Sequence, residues 1–323
     1  MRALQRERYG GPEVLAVREV ATPRPGPGQA LVRLRASSLN TADLDLLYGR
    51  PRVARIGYGL RRGQSGGMGL DLAGEVVEVG EGVTGLRPGD RVWADLFDQG
   101  HAALAEYVCV SAVALHPIPD GVSFADAATV PHSGLLALQG LKPAGPIGPG
   151  ERVLINGAGG CVGPLAIQLA KARGAHVTGV DESAKFDLMR TAGGDEVVDY
   201  AAVDITRWGR RFDVVLDIAD TRGPLAMRRC LAPGGRYSLI ARRLGSFASY
   251  VLFAPLVGRL TGTRMGTMFW KPNPAEHLAE FGALLASGAV RPIVDSTWSL
   301  ENAVAAFEHL DAGRARGKVL VVP

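Results

Sequence analysis

Polar and apolar residues alternate in short bursts over the first 120 positions. "QALVRLRASSL" (29–39), "LAGEVVEVG" (72–80) and "DRVWADLF" (90–97) carry the period of two that turns one strand face to a core. Gly/Pro turns such as "RPGPG" and "RPGD" separate them. Beyond position 120 the period lengthens. "SFADAATVPHSGLLALQGL" (123–141) predicts a helix, with Ser123 as N-cap and Asp126 in its first turn. A strand–helix alternation follows. "RVLIN" (152–156) is a short, unbroken apolar strand, 162–174 a helix closed by glycine, 175–180 the next strand and 183–192 the next helix. "EVVDY", "FDVVLDI" and "RYSLIA" add strands, with a helix near 223–231 before the last. This order predicts a parallel sheet with helices on both faces. After 273 come a helix (275–287), the strand-like "VRPIVDSTWSL", a helix (300–312) and a strand in "GKVLVVP".

Length and composition narrow the reading. A chain of 323 residues is too long for one small core, so two domains are expected. The charged fraction of 21% is that of an ordinary globular chain. No apolar run reaches the ~18 residues of a membrane span, so no membrane is expected. The longest, "YVLFAPLVG" (250–258), is half that length, and "SYVLFAPLVGRL" (249–260) reads as a lid or an interface segment. "MRALQRERYGG" has no apolar core and is no secretory signal. Cys109, Cys161 and Cys230 are scattered, which suits a reducing, cytoplasmic setting. Arginine supplies 31 of the 36 basic residues, and with the abundant Ala, Gly and Pro this points to a GC-rich, bacterial genome. The net charge of +4 is dispersed, so nucleic acid is not the expected partner.

The stretch "INGAGGCVG" (155–163) carries the chemistry. Gly157, Gly160 and Gly163 are spaced by three, with Gly159 between them, where a strand gives way to a helix. A loop without Cβ atoms lets the amides around Cys161 and Val162 approach a pyrophosphate, and the helix N-terminus adds partial positive charge. Asp181 lies eighteen residues past Gly163, at the end of the next strand. There a carboxylate accepts hydrogen bonds from an adenosine ribose diol and repels a 2′-phosphate. NAD(H) is therefore favoured, with Glu182 adding to the bias. Lys185 could reach a phosphate or the ribose, which leaves NADP(H) open. The plainer reading of Asp181 is a helix cap.

These residues resemble the medium-chain dehydrogenase/reductases, in the zinc-independent, quinone oxidoreductase-like branch, across essentially the whole chain. "GLDLAGEVVEVGEGVTGLRPGDRV" (69–92) is similar to that family's N-terminal signature. "AEYVCV" (105–110), "ATVPHSGLLALQGL" (128–141), "INGAGGCVG" and "GRARGKVLVV" (313–322) follow in its order. The resemblance implies an α/β fold: a GroES-like β-rich domain (1–120 and 274–323) and a Rossmann doubly wound parallel-sheet domain (121–273). Where the family's zinc enzymes place their ligands, this chain carries Asn40, Leu70 and His132. Leu70 cannot bind metal, and three scattered cysteines cannot build a four-cysteine lobe, so no metal is expected.

The resemblance implies an NAD(P)H-dependent oxidoreductase that moves hydride to or from a small carbonyl, an enone or quinone, or an enoyl group. "LNTADLDLLYG" (39–49) matches the stretch that places Asn40 and Asp43 beside the nicotinamide, and His132 is the third catalytic candidate. Each has a plainer alternative: Asn40 as a turn residue, Asp43 as a helix N-terminal acid, His132 as a structural histidine. Asp45 replaces an aromatic of the family pattern, Asp220 replaces a glycine, and Tyr48 is a possible proton donor. These departures keep two other functions open: a secondary-metabolism enzyme using the cofactor site for a net non-redox step, and a non-enzymatic nucleotide-binding protein. The arginine-rich "GRPRVARIGYGLRRGQSGG" (49–67) reads as a solvated rim loop, or as a receiver for a phosphopantetheine or carrier-bound substrate. The strand within "RMGTMF" (264–269) is expected to pair across a homodimer.

Overall fold

The computed structural model describes residues 1–51, 55 and 66–323. Most of the arginine-rich stretch 49–67 lies outside the described residues. The chain divides into two compact units: Met1–His132 with Lys271–Gly288 and Val294–Pro323, and Ser133–Trp270 with Ala289–Ile293.

In the first unit, β1 (Arg2–Arg6) pairs antiparallel with β2 (Leu15–Glu19). β3 (Gln29–Leu39), β4 (Asp71–Val79), β5 (Arg91–Asp95), β6 (Tyr107–Ser111) and β7 (His116–Pro117) form an antiparallel body, with β3 flanked by β4 and β6. Alternation explains the strand orientation: Val32, Leu34 and Ala36 enter the core while Arg33 and Arg35 stay outside. The alternation then stops. Ser37, Ser38, Leu39 and Asn40 are all buried, so the end of β3 is covered on both faces.

The helix expected over 123–141 is broken in two, Phe124–Ala127 and Ser133–Leu141. Ser123 caps the first, its Oγ accepting the Asp126 N–H at 3.0 Å. Pro131 causes the break, because it lacks an N–H and its ring collides with the preceding turn. The break frees the His132 N–H from helical bonding and marks the end of the first unit's leading segment.

The second unit is a six-stranded sheet, parallel throughout. β8 (Arg152–Asn156), β9 (His176–Asp181), β10 (Glu196–Asp199), β11 (Phe212–Asp217), β12 (Leu231–Leu239) and β13 (Arg264–Thr267) lie in the order β10-β9-β8-β11-β12-β13. This is the doubly wound order, with its switch point between β8 and β11. Val153, Leu154 and Ile155 are fully buried, as a strand covered on both faces requires. The apolar stretch 250–258 belongs to a longer helix, Leu244–Thr261, which runs on to a left-handed Gly262.

The chain then returns to the first unit through the helix Ala275–Ala286, β14 (Val294–Ser299), the helix Ala303–Asp311 and β15 (Lys318–Val322). β14 lies parallel to β15, and β15 runs antiparallel to β3 with Val319 opposite Leu39. That register sets Lys318 beside Asn40.

Candidate functional site

The second unit holds the glycine loop. It leaves β8 at Asn156 and enters the helix Gly163–Lys171. Two glycines are dictated by the backbone. Gly157 has φ +87°, and a Cβ at Gly163 would lie 2.1 Å from the Ala158 carbonyl oxygen. Gly157 and Ala158 both donate to the Val180 carbonyl, which ties the loop to the end of β9. The first turn of the following helix leaves its leading N–H groups without helical acceptors, so the surroundings of Cys161 and Val162 suit a diphosphate.

Asp181 ends β9 and turns into that loop. Its Oδ2 accepts the Gly159 N–H at 2.8 Å and its Oδ1 the Glu182 N–H at 2.9 Å. Lys185 Nζ stands 3.5 Å from Asp181 and 3.4 Å from Glu182. Its chain lies over Gly159, where a Cβ would meet Lys185 Cδ at 2.5 Å. The loop, Asp181 and Lys185 thus form one contiguous patch that suits a nicotinamide dinucleotide. Gly160 borders the same loop, its N–H reaching back to the Gly157 carbonyl at 3.4 Å.

Below the switch point lies a buried hydrogen-bond chain that sequence reading missed. Asn156 Nδ2 donates to Asp217 Oδ1 at 2.9 Å, joining the ends of β8 and β11. The Tyr237 hydroxyl sits 2.8 Å from Asp217 Oδ2 and 2.8 Å from the Tyr250 hydroxyl, which reaches the Arg222 carbonyl at 3.1 Å. Burial raises the Asp217 pKa, and the hydrogen bonds that it accepts from Tyr237, Asn156 and the Asp220 N–H oppose that rise. Asp220 has φ +52° and accepts the backbone N–H groups of Arg242 and Arg243, so it anchors the approach to the helix Leu244–Thr261.

The first unit holds a different cluster. In the β4–β5 ladder Asp71 lies directly opposite Asp95, an arrangement that repels unless it is compensated. Compensation comes from four elements. Asp71 Oδ2 accepts from Ser38 Oγ at 2.5 Å, Asn40 Nδ2 at 2.9 Å and Lys318 Nζ at 3.2 Å, while Oδ1 accepts the His132 N–H at 2.7 Å. Lys318 also donates to Asn40 Oδ1 at 2.6 Å. Asp95 Oδ2 lies 2.9 Å from His132 Nδ1, and Phe97 stacks on that imidazole. Asn273, at φ +49°, clasps the Asp95 backbone: its Oδ1 accepts the N–H and its Nδ2 donates to the carbonyl, each at 2.7 Å.

Asp43 completes the cluster. Its Oδ2 accepts the Asn40 N–H at 2.8 Å at the start of the helix Thr41–Tyr48. Its other oxygen is buried without a partner among the described residues. Burial pushes its pKa up to about 7, opposed by the Asn40 hydrogen bond and by the positive charges of His132 and Lys318. Burial works against the His132 imidazolium, but Asp95, Asp71 and Asp43 outweigh it and raise its pKa. The cluster therefore holds an exchangeable proton near neutral pH.

The structure thus brings Asn40, Asp43 and His132 together in one network. Tyr48 stands apart: its hydroxyl donates to Asp311 at 2.7 Å, and this bond raises its pKa. Leu70 is fully buried and offers no donor atom, and no group of three His, Cys, Asp or Glu side chains suited to a metal occurs among the described residues. Sequence reading passed over Asp71, Asp95, Asn273 and Lys318, although Asp71 adjoins Leu70 and Lys318 opens an otherwise apolar strand.

Comparison with known proteins gives concordant matches. Residues 26–120 match the alcohol dehydrogenase GroES-like domain and residues 192–321 the zinc-binding dehydrogenase domain. The chain is 33% identical to a chloroplastic quinone-oxidoreductase of Triphysaria versicolor, covering 100% of this chain and 98% of that protein. It is 31% identical to a 2-methylene-furan-3-one reductase of Solanum lycopersicum, covering 100% of this chain and 79% of that protein. The solved quinone oxidoreductase of Coxiella burnetii superposes with a TM-score of 0.86 at 28% identity, covering 100% of this chain and 99% of that one.

Proposed function

Because the chain belongs to the medium-chain dehydrogenase/reductases, in their quinone-oxidoreductase-like branch, we propose that it reduces a conjugated enone or quinone, with NADH as the favoured donor. The substrate gains a hydride at an electron-poor carbon and a proton at oxygen or at the neighbouring carbon. The names of two relatives, a quinone oxidoreductase and a furanone reductase, support that substrate class.

One observation carries the cofactor assignment: Asp181 ends β9 and holds the Gly159 amide at 2.8 Å. Gly157, Gly159, Gly160, Cys161, Val162 and Gly163 are assigned to the diphosphate and Asp181 to the ribose diol. Lys185 already shields Asp181, so the bias against a 2′-phosphate is moderate. Bound there, the dinucleotide supplies the hydride. Asn40, Asp43 and His132 are assigned to the polar side of the reaction, because Asp43 is poised at about 7 and can pass a proton near neutral pH. The reading is zinc-independent because Leu70 brings hydrocarbon where a ligand would be needed. A homodimer is supported by β13, a short strand at the edge of the parallel sheet.

The test combines NADH consumption with small enones and quinones and a cofactor titration of Asp181→Ser. The substitution should weaken NADH binding about 10- to 100-fold, the worth of hydrogen bonds to a charged acceptor, and should improve NADPH by releasing Lys185. Equal effects on both cofactors would show that Asp181 does not hold the ribose diol.

A further inference from the structure

The helix Leu244–Thr261 has two unlike sides. Tyr250, Ala254, Val257 and Gly258 face inward and pack into the second unit. Leu244, Val251, Leu252, Phe253, Leu256 and Leu260 face outward, with Leu252 at 68% and Leu260 at 76% exposure. Phe269, 67% exposed, extends this surface through an edge contact with Phe247. Isolated exposed apolar residues need no explanation, but a contiguous row of this kind does.

The segment that carries the row is cationic. Residues 221–275 contain nine lysines and arginines and no aspartate or glutamate, and of these Arg222, Arg236 and Arg243 pair with Asp204, Glu151 and Asp220 from outside it. Arg242 and Arg243 precede the helix, and Arg259 and Arg264 close it, all four exposed. Arg243 lies 3.7 Å from Asp220, whereas Arg259 and Arg264 form no ion pair among the described residues. A hydrocarbon face with a cationic rim is the composition of helices that lie in the headgroup region of an anionic bilayer. Against the sequence expectation, this 18-residue helix is long and apolar enough to cross a membrane, but Tyr250, Ala254, Val257 and Gly258 pack it into the second unit, which favours a surface position over a span.

We propose that this helix is a peripheral docking surface for an anionic lipid bilayer, with the outward leucines and Phe253 entering the acyl boundary and the arginines meeting lipid phosphates. A second copy of the helix face itself would bring Arg259 against its own mate with no acid within 221–275 to offset it, whereas the homodimer seam proposed above lies along the strand β13. The proposal leaves the substrate reading untouched.

Vesicle sedimentation of the full chain tests it. The protein should pellet with vesicles of equal parts phosphatidylcholine and phosphatidylglycerol, stay in solution with phosphatidylcholine alone, and be released by high salt. The variant Arg259→Gln should lose roughly fivefold in apparent affinity for the mixed vesicles, the worth of one arginine near such a surface. Leu252→Glu/Leu256→Glu should abolish pelleting with an unchanged thermal midpoint and an unchanged mass in light scattering. No pelleting, or equal pelleting with both vesicle types, overturns the proposal. So does a fall in mass of the Leu252→Glu/Leu256→Glu variant, which would show that a second copy covers the face.

Discussion

The two units bury carboxylates by opposite means. In the first, Asp71 is bonded to an ammonium and Asp95 lies against an imidazole, so charge meets charge, and Asp43 is buried in the field of both cations. In the second, Asp217 is surrounded by an amide, a phenol and a backbone N–H, with no cation bonded to it among the described residues. Burial favours the neutral form of Asp217, while the donors around it favour the ionised one. A carboxyl group within a charged set keeps the balance close, and one member, Asp43, is left at the point where protons come and go. The first arrangement suits chemistry and the second suits holding two strand ends in register.

Removing the ammonium is the most severe way to break this contrast. Lys318→Met leaves Asp71 buried without its cation and should cost about 3–5 kcal/mol of stability. Calorimetry should show a fall in Tm of about 10 °C, from the usual relation for domains of this size. Asp71→Asn in the same chain should recover part of it, because the uncompensated charge is gone.

Asp43→Asn sharpens the contrast through pH. The folded pKa of Asp43 is about 7, above its unfolded value of about 3.9. A raised pKa means that the stabilisation is fully present below the unfolded value and is lost as pH rises through the folded value. The wild type should therefore lose up to roughly 4 kcal/mol between about pH 4 and pH 7 that the asparagine variant does not lose. Denaturant titrations across that range check it. His132, raised above its ordinary value, adds a further decline above about pH 6.5, smaller in the asparagine variant because Asp43 is one of the charges that raise it.

The smallest effect belongs to the neutral cluster. Tyr237→Phe removes the link between Asp217 and Tyr250 and should cost about 1–3 kcal/mol. Burial raises the folded pKa of Asp217 and the Tyr237 hydrogen bond opposes that rise, so the loss should grow as pH rises and Asp217 ionises. A loss that does not change with pH would show that the phenol does not bond the ionised carboxylate.

Local patterns made much of this readable in advance. The period of two gave β3 to β5, and the unbroken apolar strands gave the parallel sheet. The glycine loop and Asp181 announced themselves because backbone approach to a diphosphate needs residues without Cβ at fixed spacing. The polar cluster was only half legible. Asn40 and Asp43 are local to one helix start, but Lys318 meets Asn40 across 278 positions and Asn273 meets Asp95 across 178. No periodicity encodes such a meeting; it follows from the β3–β15 and β4–β5 registers. An aspartate within an otherwise apolar strand, as in "GLDLAG" and "VWADLF", was the available signal, since a carboxylate enters a core only with company. The helix break before His132 could have been read from Pro131, and it is the break that turns the His132 amide toward Asp71.

The antiparallel seam between β3 and β15 has a consequence for how the molecule is made. A ribosome delivers Asp43, Asp71 and Asp95 long before it delivers Lys318. Until β15 lies against β3, Asp71 lacks the ammonium bonded to it, so the first unit's polar cluster is completed by a residue 247 positions downstream.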